Sequence, residues 1–197
     1  MDMPPDDPVS ATDDALLVLY ANGDPTAART LTARLLPRVF GHALRLLGDG
    51  AEAEDVAQEA MVRLWRMAPD WRQGEAQVTT WLYRVTANLC TDRLRKRRGV
   101  GLDEIAEPED PNPGAVEQIQ NRARHDALQG ALDQLPARQR QAVVLRHIEG
   151  MSNPEIAQVM EIGPRAVESL TARGKRALID LLAGRRAELG YEDEKAG

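Results

Sequence analysis

Two helical segments are written one turn apart toward the end of the chain: Ser152-Asn153-Pro154-Glu155-Ile156-Ala157-Gln158-Val159-Met160, then Pro164-Arg165-Ala166-Val167-Glu168-Ser169. Backbone chemistry sets the start of the first. The Ser152 hydroxyl can accept the amide of Glu155 while the Glu155 carboxylate reaches back, and Pro154 needs no amide partner that early in a helix. On a helical wheel the second segment places Val167, Leu170, Gly174, Leu178 and Leu181 on one side. Arg165, Glu168, Ser169, Ala172 and Arg176 fall on the other. One face docks on protein and the other is open to a groove, which is the layout of a helix-turn-helix. An ordinary surface helical hairpin matches the same short pattern, so the case for DNA rests on the rest of the chain.

That remainder reads as helix. Ala, Leu, Arg and Glu dominate, strand-like runs of Val, Ile and Thr are missing, and the expected fold is all-α. The 197 residues suit two small helical domains joined by a flexible acidic linker, the second containing the helix-turn-helix. The organisation expected is a disordered N-terminus over residues 1–12 and a first domain over 13–98. An acidic, Pro-rich linker over 99–114, a second domain over 115–187 and a polar tail over 188–197 follow. Within the first domain, Asp24 and Pro25 read as cap and first residue of a helix that Pro37 kinks and Gly48 ends. A third helix from Ala51 to about Met67 buries Val56, Ala57, Ala60, Met61, Leu64 and Trp65. A fourth, Val78 to about Arg98, buries Val78, Leu82, Val85 and Leu89. Beyond the linker, Asn112 and Pro113 open a helix to about Gln134, and Pro136 to Glu149 forms another that Gly150 stops.

The net charge of −6 is sorted along the chain: −7 over residues 1–60, +6 over 61–100, −6 over 101–120 and +1 over 121–197. Phosphates respond to the patch within about 10 Å, not to the total, so the basic island remains a candidate for nucleic acid. Cys90 is the single cysteine, which rules out a disulfide framework and suits a reducing cytoplasm. No Cys/His cluster has metal-ligand spacing, and no cofactor is implied. Residues 1–11 lack the basic and apolar halves of a leader, and no apolar run approaches the ~20 residues that cross a bilayer. A cytoplasmic protein with no membrane insertion is expected.

Chemistry gathers on the fourth helix. Gln77, Trp81, Arg84, Asn88, Thr91 and Arg95 fall on one line, able to stack a base on an indole and hydrogen-bond base edges. Arg84, Arg93, Arg95, Lys96, Arg97 and Arg98 can neutralise phosphates there. Trp81 equally suits a core position, and a basic run also complements the C-terminal end of a helix dipole. The acidic stretch Glu52, Glu54, Asp55 and Glu59 suits a helix N-terminus, and Glu59 can pair with Arg63. With His42, His125 and His147 scattered, and neither a phosphate loop nor a Ser/His/Asp arrangement present, an enzyme is the weaker reading.

These motifs resemble the extracytoplasmic-function (ECF) sigma factors of bacterial RNA polymerase, over about Asp13 to Leu182. Ala53-Glu54-Asp55-Val56-Ala57-Gln58-Glu59, ending in Leu64-Trp65, is similar to the second sigma region, whose helix docks on the polymerase clamp coiled coil. Thr80 to Leu89 and the following Asp92-Arg93-Leu94-Arg95 are similar to the helix that opens and reads the minus-ten element. Leu135-Pro136-Ala137-Arg138-Gln139-Arg140 with the helix-turn-helix resembles the fourth region, which reads the minus-thirty-five element. The resemblance implies polymerase contacts by Asp55, Gln58, Glu59 and Arg63, and minus-ten contacts by Trp81, Arg84, Asn88, Arg95 and Lys96. It implies minus-thirty-five contacts by Ser152, Arg165, Glu168, Ser169, Arg173 and Arg176. It also implies a loop from about Pro69 to Gln77 that captures a flipped base, and a linker that runs through the polymerase cleft. The partners it implies are core RNA polymerase (clamp and flap), promoter DNA and an anti-sigma factor, for a chain that is a monomer when free. Departures from the family pattern are Glu161 at a turn glycine, and Glu168 and Leu170 where Lys and Arg are common. The competing reading is a stand-alone helix-turn-helix transcriptional regulator, which leaves the Asp55 to Glu59 block unexplained.

Overall fold

The computed structural model describes residues 11–72, 74, 77–100 and 116–183. The expected N-terminal segment over 1–12 falls outside them except at its last two residues. The polar tail, nearly all of the linker and the proposed cap at Asn112 also fall outside. Every regular element among the described residues is helical. Four helices build the first domain: α1 (Asp13–Ala21), α2 (Pro25–Leu47), α3 (Gly50–Met67) and α4 (Val78–Val100). The second contains α5 (Val116–Asp133), α6 (Ala137–Val143), α7 (Asn153–Met160) and α8 (Pro164–Ala183).

The helix ends follow local chemistry. Thr12 Oγ1 accepts the Ala15 amide at 3.2 Å, Asp24 Oδ1 the Thr26 amide at 2.7 Å, and Asp49 Oδ1 the Glu52 amide at 2.9 Å. Each cap satisfies a donor that the first turn leaves unpaired, and is worth about 1 kcal/mol. Gly48 closes α2 at φ 70°, in the left-handed region. Pro37 lies inside α2 without ending it. It and Ala33 are both exposed, so water reaches the carbonyl that Pro37 cannot serve.

The first domain packs Leu16 and Leu17 of α1, Leu31 and Leu35 of α2, Leu64 of α3 and Leu82 of α4 into one apolar centre. All six are almost fully buried, each contributing about 1.5–3 kcal/mol relative to exposure. Trp65 and Trp81 are half-buried against this centre. Ala43, Leu46, Ala53, Val56, Ala87 and Cys90 extend it toward the far end of α2. Burial raises the Cys90 thiol pKa to about 12, so Cys90 is a small core residue and not a reactive thiolate.

In the second domain a wide, π-type turn over Val144–Ile148 follows α6, and Gly150 takes φ 72° just before α7. The sequence pattern contains no signal for the wide turn. Helices α6 and α8 approach closely because Gly174 has no side chain: a Cβ there would lie 2.6 Å from Val143 Cγ2 and 3.1 Å from the Gln139 carbonyl oxygen. In an open helix Gly→Ala gains about 1 kcal/mol, whereas overpacking a close contact costs about 1–3 kcal/mol. Packing wins at this position, so Gly174→Ala is expected to lower the unfolding free energy of the second domain, measured by urea titration. A rise in stability would show that α6 and α8 are not held at this distance.

Candidate nucleic-acid interface

Three groups of side chains occupy three surfaces. On α3, Asp55, Gln58 and Arg63 are exposed and Glu59 is half-buried. Arg63 Nε donates to Glu59 Oε1 at 2.8 Å, and Gln58 Nε2 to Glu54 Oε1 at 3.3 Å. The face is therefore a ridge of paired polar groups above Val56, Ala57 and Ala60, which point inward.

On α4 the line of polar residues survives, but its basic end is partly committed. Arg97 donates to Glu52 at 3.0 Å and to the Leu47 carbonyl at 3.1 Å, and Arg93 reaches Asp55 at 3.4 Å. These contacts clamp α4 to the acidic start of α3, so the alternating charge blocks have a structural use before any phosphate arrives. Arg95 pairs with Asp92, one turn away. Asn88, Thr91, Arg95 and Lys96 are exposed, while Trp81 and Arg84 are half-buried. Of the loop expected to capture a base, residues 73, 75 and 76 lie outside the described residues.

On the second domain, the capping box between Ser152 and Glu155 is closed. The Glu155 carboxylate accepts the Ser152 amide at 2.7 Å and its hydroxyl at 2.6 Å, which holds the Glu155 pKa below the usual range. Ser152 is half-buried and its hydroxyl is engaged in the cap. Arg165, Glu168, Ser169 and Arg176 lie exposed on α8, away from the buried Val167 and Gly174, as the wheel places them, and Arg173 is exposed beside them.

The two domains meet where no motif pointed. The ring of Tyr83, on α4, is 7% exposed and packs among Ala142, Leu145, Ile156, Val159 and Met160 of the second domain. Its hydroxyl donates to Glu149 Oε2 at 2.6 Å. The other carboxylate oxygen lies 3.6 Å from Nδ1 of the fully buried His42, too far for a hydrogen bond but near enough for attraction. Burial pushes the Glu149 pKa up, but His42 and Tyr83 outweigh it and leave the carboxyl below its ordinary value. Desolvation, reinforced by Glu149, raises the Tyr83 phenol. On the other side of the seam Arg140 Nη1 donates to the Leu46 carbonyl at 2.7 Å and to Asp133 Oδ1 at 3.1 Å. Its Nη2 donates to the Asp133 carbonyl at 2.7 Å. Burial lowers the Arg140 pKa and Asp133 opposes the shift. One signal for this seam was present in the sequence: Glu149 is an acidic residue at a helix C-terminus, where the macrodipole disfavours it unless a partner is supplied.

The turn after α7 carries a further cost. Glu161 caps the helix at φ 52° and ψ 47°, a left-handed geometry that costs a residue with a Cβ about 1–2 kcal/mol. Its carboxylate lies 3.9 Å from Arg84, an exposed pair that offsets little of this. Glu161→Gly is expected to stabilise the second domain by about 1 kcal/mol in urea unfolding. A loss of stability would mean that the Arg84 contact outweighs the backbone term.

Among the described residues no group of three or more His, Cys, Asp or Glu side chains could hold a metal ion, and no helix is long and apolar enough to cross a membrane. The family model for sigma-70 region 2 matches residues 31–100, and the model for sigma-70 region 4 matches residues 125–178. The chain is 37% identical over 181 residues to the ECF RNA polymerase sigma factor SigE of Mycolicibacterium smegmatis, covering 87% of this chain and 68% of that one. Among solved structures, CnrH in complex with the cytosolic domain of CnrY is similar at a TM-score of 0.66 and 26% identity, over 87% of this chain and 97% of that one. The sigma factor RpoE of Bartonella quintana, solved with the anti-sigma factor NepR, shares the fold at a TM-score of 0.63 and 22% identity, over 79% and 96% of the two chains.

Proposed function

The chain belongs to the ECF RNA polymerase sigma factors, and from that membership we propose which of its surfaces grips which partner. The observation that carries the assignment is the placement of three separate polar faces, on α3, α4 and α8, over cores that hold them in fixed register. Asp55, Gln58, Glu59 and Arg63 on α3 form the face for the clamp coiled coil of core polymerase. Trp81, Arg84, Asn88, Arg95 and Lys96 on α4 read and help melt the minus-ten element. Arg165, Glu168, Ser169, Arg173 and Arg176 on α8 enter the major groove at the minus-thirty-five element, with Ser152 setting the start of the helix before it. Glu168 can accept from a cytosine amino group, and the arginines supply phosphate and guanine contacts.

The protein does no chemistry of its own in this reading. It works in the cytoplasm, where the polymerase is, and an anti-sigma factor holds it in reserve. Neither promoter grip needs to be tight alone, because polymerase presents both at once and the second contact forms at high effective concentration. A stand-alone regulator would have no use for the α3 face.

Purified protein mixed with core polymerase is expected to yield promoter-dependent RNA. Tight operator binding without polymerase, and no transcript with it, would establish the stand-alone regulator instead. Asp55→Ala and Gln58→Ala are each expected to weaken polymerase binding by about 1 kcal/mol or more, near fivefold, in fluorescence titrations. Unchanged affinity of both would remove α3 as the interface. Arg165→Ala and Arg176→Ala are expected to weaken promoter binding by the holoenzyme and each to reduce the salt slope by about 1.

A further inference from the structure

The first domain carries a furrow that none of the three polar faces uses. Tyr20 of α1 and Trp65 of α3 meet with ring centroids 4.7 Å apart and planes tilted by 60°, and both stay half-buried at the surface. Beside them on α2 lie Ala28, Thr32 and Ala33, whose side chains are short, and Arg29, which is exposed. The short side chains leave an open groove of about 580 Å³ between the rings and Arg29. The Thr32 hydroxyl donates to the Ala28 carbonyl at 2.8 Å, so the floor asks for no polar partner there. Arg29 supplies the one charge among the six lining residues. An aromatic-walled groove with a single cation suits an extended segment of prolines with acidic neighbours, because proline packs flat on aromatic rings and is ordered before it docks.

The chain holds such a segment within reach. Residues 1–10, outside the described part, read Met-Asp-Met-Pro-Pro-Asp-Asp-Pro-Val-Ser, with three prolines, three aspartates and no Lys or Arg. The point where they join the domain is fixed. Ala11 packs against the first domain's apolar centre, and Arg34 Nη1 donates to its carbonyl at 2.8 Å and to Asp13 Oδ1 at 3.2 Å. Arg34 follows Ala33 of the groove directly on α2. Helix α1 is 9 residues long, about 14 Å at about 1.5 Å per residue, and Tyr20 stands near its far end. A polyproline II strand advances about 3.1 Å per residue, so about four residues, Ser10 back to Asp7, cover that distance. Asp6, Pro5 and Pro4 then arrive at the groove.

We propose that residues 1–10 run back along α1 and dock in this groove, with Pro4 and Pro5 on the Tyr20–Trp65 pair and Asp6 facing Arg29. Anchoring point, length and charge all select this occupant. Each contact is weak by itself, but the tether presents the segment at high effective concentration, so weak contacts suffice. The docking concerns the first domain alone and does not depend on which surfaces meet polymerase or promoter.

A photoreactive benzophenone amino acid in place of Met3, in the full chain, tests the docking. After irradiation and digestion, mass spectrometry is expected to find cross-links within one chain to peptides carrying Tyr20, residues 28–33 or Trp65. Arg29→Glu, at an exposed position, is expected to lower that yield about threefold. Combining it with Asp6→Lys is expected to recover the yield, because the pair is restored with its charges exchanged. Cross-links scattered over the surface, or a yield indifferent to Arg29→Glu, overturn the proposal. Mixing isotope-labelled with unlabelled chains identifies links between copies, and a predominance of those overturns it in favour of a second copy in the groove. Promoter-dependent transcription measured in parallel judges the sigma assignment separately, because its absence leaves the cross-linking result standing.

Discussion

Packing on α4 governs the rest of the structure. One side of the helix contributes Val78 and Leu82 to the first domain's core. Its basic end is tied by Arg93 and Arg97 to the acidic start of α3, and its middle receives the second domain through Tyr83. A helix has about 3.6 residues per turn, so three neighbours leave a narrow free strip. The residues on that strip, Asn88, Thr91, Arg95 and Lys96, are those with base-edge and phosphate chemistry.

Charge is used twice. The −7 and +6 blocks of the first hundred residues meet in space as Asp49, Glu52 and Asp55 against Arg93 and Arg97. These pairs are partly exposed, each worth little, but together they orient α4 on α3 without drawing on the apolar core. They also leave fewer cations for phosphate than a count of Lys and Arg suggests. This fits the proposal that the chain holds DNA through two grips presented together on polymerase.

Much of the local architecture was legible from particular residues. Asp24 with Pro25, and Ser152 with Glu155, mark helix starts because caps act within three residues; Gly48 and Gly150 mark ends because the chain there enters the left-handed region. The two faces of α8 follow from 3.6-residue periodicity, and the stripe on α3 likewise. The wide turn at Val144–Ile148 was not legible, because an extra residue in a turn changes no local preference that composition records. Tyr83 was hidden for a different reason: its neighbours on the line pointed to nucleic acid, and an aromatic side chain suits a core, a base or a second domain equally well.

The sequence by itself determined the helices, their caps, the buried stripes and the chemical character of the three polar faces, since each depends on neighbours within one or two turns. Only the tertiary structure decided how the two domains sit against each other. Tyr83 meets Glu149 across 66 positions and Arg140 meets Leu46 across 94, and such contacts depend on how two finished cores fit together. Short-range chemistry made the parts of this sigma factor, and the pairing of remote polar groups at a seam set how the two domains fit together.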